Sequence, residues 1–154
     1  MPNEHDKIDS KKVIGSLNAI LELELAGVVR YLHYSLMVFG HARIPIVSWL
    51  RGEATKSMAH AQKAGEILTL FGEHPSLGIG PLLETHKHQI DEILRESLAH
   101  ERATLELYRE LLSVSGDSVM IEEYARELIY EEELDAGSVD KMLRAPGAVA
   151  AFSK

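Results

Sequence analysis

Four long segments of this chain place apolar side chains on an alternating four-and-three step, and only the junctions between them break helical period. The junctions carry the residues that start and stop helices. Asp9 and Ser10 can cap a first helix that continues through KKVIGSLNAILELELAGVVRYLHYSLMVF to Gly40. A second opens near Pro45, whose fixed φ suits a first turn, and ends at Gly72. The stretch EHPSLGIGP, 73–81, reads as a connection, with Pro81 opening the third helix and Gly116 closing it. Asp117 or Ser118 caps the fourth, which stops before Pro146. Helices of about 25 to 30 residues each span roughly 40 Å, which fits an elongated bundle better than a compact cluster of short helices. The fold expected is all-α, a four-helix bundle with a long crossover between helices two and three. One domain over 1–154 is expected, with the bundle at about 10–144 and a short irregular tail at 145–154.

Composition narrows the chemistry. With 154 residues and 45% hydrophobic content, the chain can bury a full core without covalent staples. It contains no Cys, which excludes disulfides, thiolate metal sites and a thiol nucleophile, and leaves His and carboxylates as the strong metal ligands. A formal charge of −8 with no basic block opposes binding to phosphate backbones, so nucleic acid is not an expected partner. No apolar run approaches the roughly 18 residues that cross a bilayer, and MPNEHDKIDSKK lacks an apolar leader core; no membrane partner and a cytoplasmic location are expected.

The seam of each helix is apolar at its ends and polar near its middle. The first runs Leu17, Leu21, Glu24, Val28, Tyr31, Ser35, Val38, and the second Glu53, Ser57, His60, Ala64, Ile67, Phe71. The third runs Ile90, Leu94, Ser97, Glu101, Thr104, Tyr108, Leu111, and the fourth Ile121, Ala125, Leu128, Glu132, Asp135, Val139, Met142. Side-by-side packing brings Glu24, His60, Glu101, Glu132 and Asp135 to one level. Burying four carboxylates together costs several kcal/mol each unless a cation or shared protons offset them. No Lys or Arg stands mid-seam, although Arg30 and Lys63 lie one position away. A metal ion is the expected counter-charge, and mixed carboxylate and imidazole ligands suit iron, manganese or zinc.

From about Leu17 to Leu143 the chain resembles the ferritin-like di-iron carboxylate family, and within it the bacterioferritins. The likeness is strongest in LNAILELELAGVVRY, SMAHA and EEELDAGSVDKML. Such proteins carry one Glu on helix one, Glu-x-x-His on helix two, one Glu on helix three and Glu-x-x-His on helix four. Carried over, these positions are Glu24, His60, Glu101 and Glu132. Two positions depart from the pattern: Ser57 stands where the helix-two bridging carboxylate belongs, and Asp135 where the second His belongs. A Ser hydroxyl is a weak neutral ligand that cannot bridge two cations, whereas Asp135 still suits hard cations. Glu53, a turn before Ser57, is not expected to substitute directly.

The resemblance implies an iron-binding protein with ferroxidase chemistry, in which ferrous iron is oxidised by dioxygen or peroxide at Glu24, His60, Glu101, Glu132 and Asp135, followed by iron storage or detoxification. The two departures put rapid oxidation in question. Tyr31, on the seam with Glu24, is placed to donate a hydrogen bond or an electron. Met58 stands where bacterioferritins supply a haem-ligating Met at a twofold interface, so haem is a candidate cofactor, as is a homo-oligomer built from twofold dimers, cage-like in form. The tail RAPGAVAAFSK is too short and interrupted for a fifth helix. His86 and His88 alternate too closely for one helical face and are expected as solvated residues at the start of helix three, while His33, His41, His74 and His100 lack ligand spacing, His100 adjoining Glu101 as a supporting donor. The rival readings are a non-catalytic shell or interaction subunit with a degenerate site, which Ser57 and Asp135 favour, and a DNA-protecting mini-ferritin, which the acidity opposes.

Overall fold

The computed structural model describes residues 9–82 and 85–152, which form four helices: α1 (Ser10–Met37), α2 (Arg43–Leu70), α3 (Ile90–Ser113) and α4 (Val119–Leu143). The bundle expected from the seam pattern is the one observed. Local chemistry sets the helix ends. The Asp9 carboxylate accepts from Lys12 N at 3.3 Å, and the Ser118 hydroxyl accepts from Ile121 N at 3.4 Å, so each satisfies an otherwise open donor of a first turn. Pro45 lies in the first turn of α2, where its missing N–H costs nothing. At the other end of α2, Gly72 turns left-handed (φ 78°), which lets Gly72 N reach Thr69 O and Glu73 N reach Leu68 O, both at 3.0 Å.

The third helix begins at Ile90, not at Pro81. Leu68, near the end of α2, packs with Val13 and Leu17 at the start of α1, whereas Ile90 and Ile93 pack with Tyr34 and Val38 at its other end. The connection must therefore run the length of the bundle, and extended chain covers that distance in fewer residues than helix. It is pinned to α1 as it passes: Gly80 N donates to Glu22 O at 2.8 Å and Ser76 N to Asn18 Oδ1 at 2.9 Å. A Cβ on Gly80 would lie 3.1 Å from both Glu22 O and Leu23 Cα, so glycine is what permits this approach. His86 and His88 fall in this crossover rather than on α3, and His86 is left-handed (φ 58°). The first and third helices also stop sooner than expected, at Met37 and Ser113, with Gly40 and Gly116 in the turns beyond.

Apolar packing forms two blocks. One gathers Leu17, Ile20, Leu68, Tyr108, Ile121 and Leu128; the other gathers Tyr31, Tyr34, Val38, Leu50 and Ile93, with Leu94, Leu98 and Val139 beside it. Burial of each such side chain is worth about 1.5–3 kcal/mol. The polar mid-seam residues lie between the blocks. Helix α1 packs on α2 and α3, and α3 on α4. Among the described residues, no Cα of α2 comes within 8 Å of one in α4, and ionisable side chains span that wider gap. Among the described residues no helix is long and apolar enough to cross a membrane.

Candidate metal centre

The four-and-three step that buries the seams also aims their polar members inward. Glu24, His60, Glu101 and Glu132 are all buried, and Asp135 is half-buried. Their ligand atoms gather in two groups that share one residue: Glu24, His60 and Glu132 form one, and Glu101, Glu132 and Asp135 form the other, each within 4.8 Å. All five residues expected at one level are thus brought together.

His60 sits at the centre of the first group. Its Nδ1 lies 3.3 Å from Glu24 Oε1 and 3.1 Å from Glu132 Oε1, and its Nε2 lies 3.0 Å from Glu131 Oε2. Burial opposes the imidazolium, but hydrogen bonds to Glu132 and Glu24 outweigh it and push the pKa up to about 11. Protonated His60 is therefore the counter-charge when no metal is bound. Burial also raises Glu24, against the pull of His60, and raises Glu132. Tyr108, which sequence reasoning placed only in the seam, donates to Glu24 Oε1 at 3.1 Å.

In the second group Tyr31 donates its hydroxyl proton to Glu101 Oε1, as its seam position suggested. Burial and the adjoining Glu132 hold the Glu101 carboxyl well above the usual range, and burial does the same to the Tyr31 phenol. Glu132 contributes an oxygen to each group and its Oε2 is buried, and a hydrogen bond shared with Glu101 lowers the Glu132 carboxyl while raising that of Glu101.

Neither cation that lies one position off the seam reaches the candidate ligands. Lys63 pairs with Glu127 at 3.5 Å near the surface, and Arg30 turns away from the carboxylates, its Nη1 lying 3.3 Å from His100 Nδ1 and its Nε and Nη2 donating to Tyr34 Oη. Instead Lys56, beside Ser57, reaches Asp135 Oδ1 at 2.8 Å and Glu53 Oε1 at 3.1 Å. Glu53 belongs to neither group, as expected; burial and the nearby Asp135 raise its pKa to about 7, against the pull of Lys56. Burial and the Arg30 charge lower His100 to about 4, so it is a neutral imidazole, packed edge-on against Tyr31. Ser57 is buried against Gly27: a Cβ there would lie 2.8 Å from both Ser57 Oγ and His100 Nε2. Met58, the next residue of α2, is exposed.

The sequence pattern of the ferritin-like domain matches residues 14–145. Comparison with curated protein sequences found no match. Among solved structures, the bacterioferritin of Rhodobacter capsulatus, described with a metal-free dinuclear site and haem iron, is 26% identical over 88% of this chain and 84% of its own, with a TM-score of 0.74. A ferritin-like di-iron carboxylate protein of Bacillus anthracis is 19% identical over 92% and 99%, with a TM-score of 0.80. The dodecameric thioferritin of Bacteroides fragilis is 21% identical over 89% and 87%, with a TM-score of 0.82.

Proposed function

The chain belongs to the ferritin-like family, and from that premise we propose that it is a bacterioferritin-like protein that binds ferrous iron as substrate at Glu24, His60, Glu101, Glu132 and Asp135 and passes it on oxidised, for storage or detoxification. One observation carries this reading: Glu132 is buried between two groups of ligand atoms and contributes an oxygen to each. The donor set fits the cation, since two carboxylates with an imidazole and three carboxylates are both hard or borderline sites. With Ser57 in place of a second bridging carboxylate, Glu132 is, among the described residues, the one shared by the two groups.

Each protein group has a definable task. Glu24 and Glu132 flank His60 Nδ1, which gives up its proton before that nitrogen can act as a ligand. Glu131 holds Nε2 and so fixes the ring. The Tyr31 hydroxyl orients Glu101, and the two apolar blocks keep water from the level between them. Bound ferrous iron supplies the electrons that reduce dioxygen or peroxide. Anaerobic titration with ferrous iron followed by air tests the reading: saturable uptake and a ferric absorbance are expected, and neither would appear if the centre did not bind iron.

A second reading, a non-catalytic shell subunit, is favoured by the Lys56–Asp135 ion pair and by Ser57. Iron uptake without accelerated oxidation would select it. The wider proposal treats the whole chain as one cytoplasmic domain that assembles as a homo-oligomer through twofold dimers. Exposed apolar side chains on α1 (Val29, Leu32, Leu36), exposed Met58, and the dodecamer formed by the thioferritin relative support assembly. Met58 is the proposed haem ligand, and a Soret band in the protein purified from haem-supplied cells, lost in Met58→Leu, checks it.

A further inference from the structure

Two nitrogen side chains contact the buried acids in different ways. In the first group it is His60, whose Nδ1 lies 3.3 Å from Glu24 Oε1 and 3.1 Å from Glu132 Oε1 and which is itself a metal ligand by type. In the second group the counter-charge is Lys56, whose ammonium cannot become a ligand while protonated and sits 2.8 Å from Asp135 Oδ1. The same ammonium is 3.1 Å from Glu53 Oε1, a side chain only 8% exposed, so it joins two acids at the edge of the site. The Lys56 side chain is itself 51% exposed, and its tether to α2 lets it leave for solvent without disturbing the core. Charge substitution reinforces the asymmetry: Ser57 withholds a negative charge from α2, and its neighbour Lys56 adds a positive one.

We propose that Lys56 is a built-in competitor for the second metal position, so that a divalent cation enters the Glu101, Glu132 and Asp135 group only by displacing the ammonium from Asp135. The two positions then fill in sequence, the Glu24, His60 and Glu132 group first. This inference rests on the metal-binding reading above and assigns Lys56 a positioning role, through its hold on Asp135, that a carboxylate-only centre lacks. Glu132, buried and contributing an oxygen to both groups, joins the acids that the ammonium guards to the first position.

Calorimetric titration of the full chain with Zn²⁺, which does not change oxidation state, separates the possibilities, with Co²⁺ absorption as a second readout of coordination. The wild type is expected to show a tight phase and a second phase weaker by about tenfold or more. Lys56→Gln strengthens the second phase by about fivefold and leaves the first within about twofold, because an ion pair with one half-exposed partner is worth up to about that factor. Lys56→Arg, which keeps the charge, retains the wild-type pattern. A second phase unchanged in Lys56→Gln, or two phases of equal affinity in the wild type, overturns the inference while leaving the metal centre standing. No Zn²⁺ binding by either the wild type or Lys56→Gln removes both.

Discussion

Glu132 meets His60 Nδ1 through Oε1 at 3.1 Å and hydrogen-bonds Glu101 on its other side, so one carboxylate belongs to both groups of candidate ligands. Glu132→Gln keeps the shape and removes the anionic ligand that the two groups share. Both metal-binding phases should weaken by at least about 100-fold, while Glu131→Gln, which frees only His60 Nε2, should weaken the first phase alone by about tenfold. Titration calorimetry on the two variants checks this, and equal effects on both phases from Glu131→Gln would contradict it.

His60 gives the site a pH dependence. Its pKa of about 11 in the metal-free fold lies above its usual value of 6.5, so its contribution to stability is fully present below 6.5 and is lost as pH rises through 11. Metal binding at Nδ1 must expel that proton. Affinity at the first position should therefore rise about tenfold per pH unit between pH 6 and 8, with one proton released per metal. Titrations in buffers of different ionisation enthalpy measure the release directly; binding without proton release would mean that His60 does not ligate.

The raised carboxyl of Glu53 runs in the same direction over a different range. Its protonated form is favoured in the fold, so the associated stability is present below pH 4.5 and lost as pH rises through about 7. Glu53→Gln imitates the protonated form. It should match the wild type near pH 4.5 and exceed it at pH 8 by about 1–2 kcal/mol, after allowance for solvent screening at this edge of the site. Thermal melts of the metal-free proteins at the two pH values test the sign.

Much of the molecule could be anticipated from residue spacing, and the exceptions share a cause. The four-and-three step decides which helix face is buried, so it placed Glu24, His60, Glu101, Glu132 and Asp135 at one level before any coordinates. It also put Tyr31 near the site, although its partner, Glu101, comes from the packing of α1 on α3. It could not place Lys56, because a long flexible side chain one position off the seam reaches across a gap whose width depends on how α2 and α4 pack. Pro81 misled for a similar reason. Its φ suits a helix start, but the need to return along α1 is a property of the whole bundle, and the crossover continues to Gln89. Met142, counted in the fourth seam, is 37% exposed.

The altered ligand positions offer a gain-of-function check. Ser57→Glu alone adds a buried carboxylate beside Gly27 and should lower metal-free stability by about 1–3 kcal/mol. Combined with Asp135→His, which releases Lys56 from its partner, it should strengthen the second binding phase and speed ferrous oxidation by about tenfold or more. Stopped-flow oxidation assays on the double variant decide this. A stable, metal-loaded double variant with no gain in rate would show that these two residues do not limit the chemistry.

The crossover is testable without metal. Gly80→Ala forces a Cβ to within 3.1 Å of the α1 backbone, so the Gly80 N to Glu22 O bond must lengthen. A loss of about 1–2 kcal/mol in denaturant unfolding is expected, with little change in the first metal-binding phase.

Anomalous diffraction from crystals soaked anaerobically with ferrous iron tests the central claim most directly. An iron peak bounded by Glu24, His60 and Glu132 is predicted, with a weaker one between Glu101, Glu132 and Asp135. Iron confined to surface carboxylates, with Glu132 Oε2 still unbound at full soaking concentration, would contradict the account.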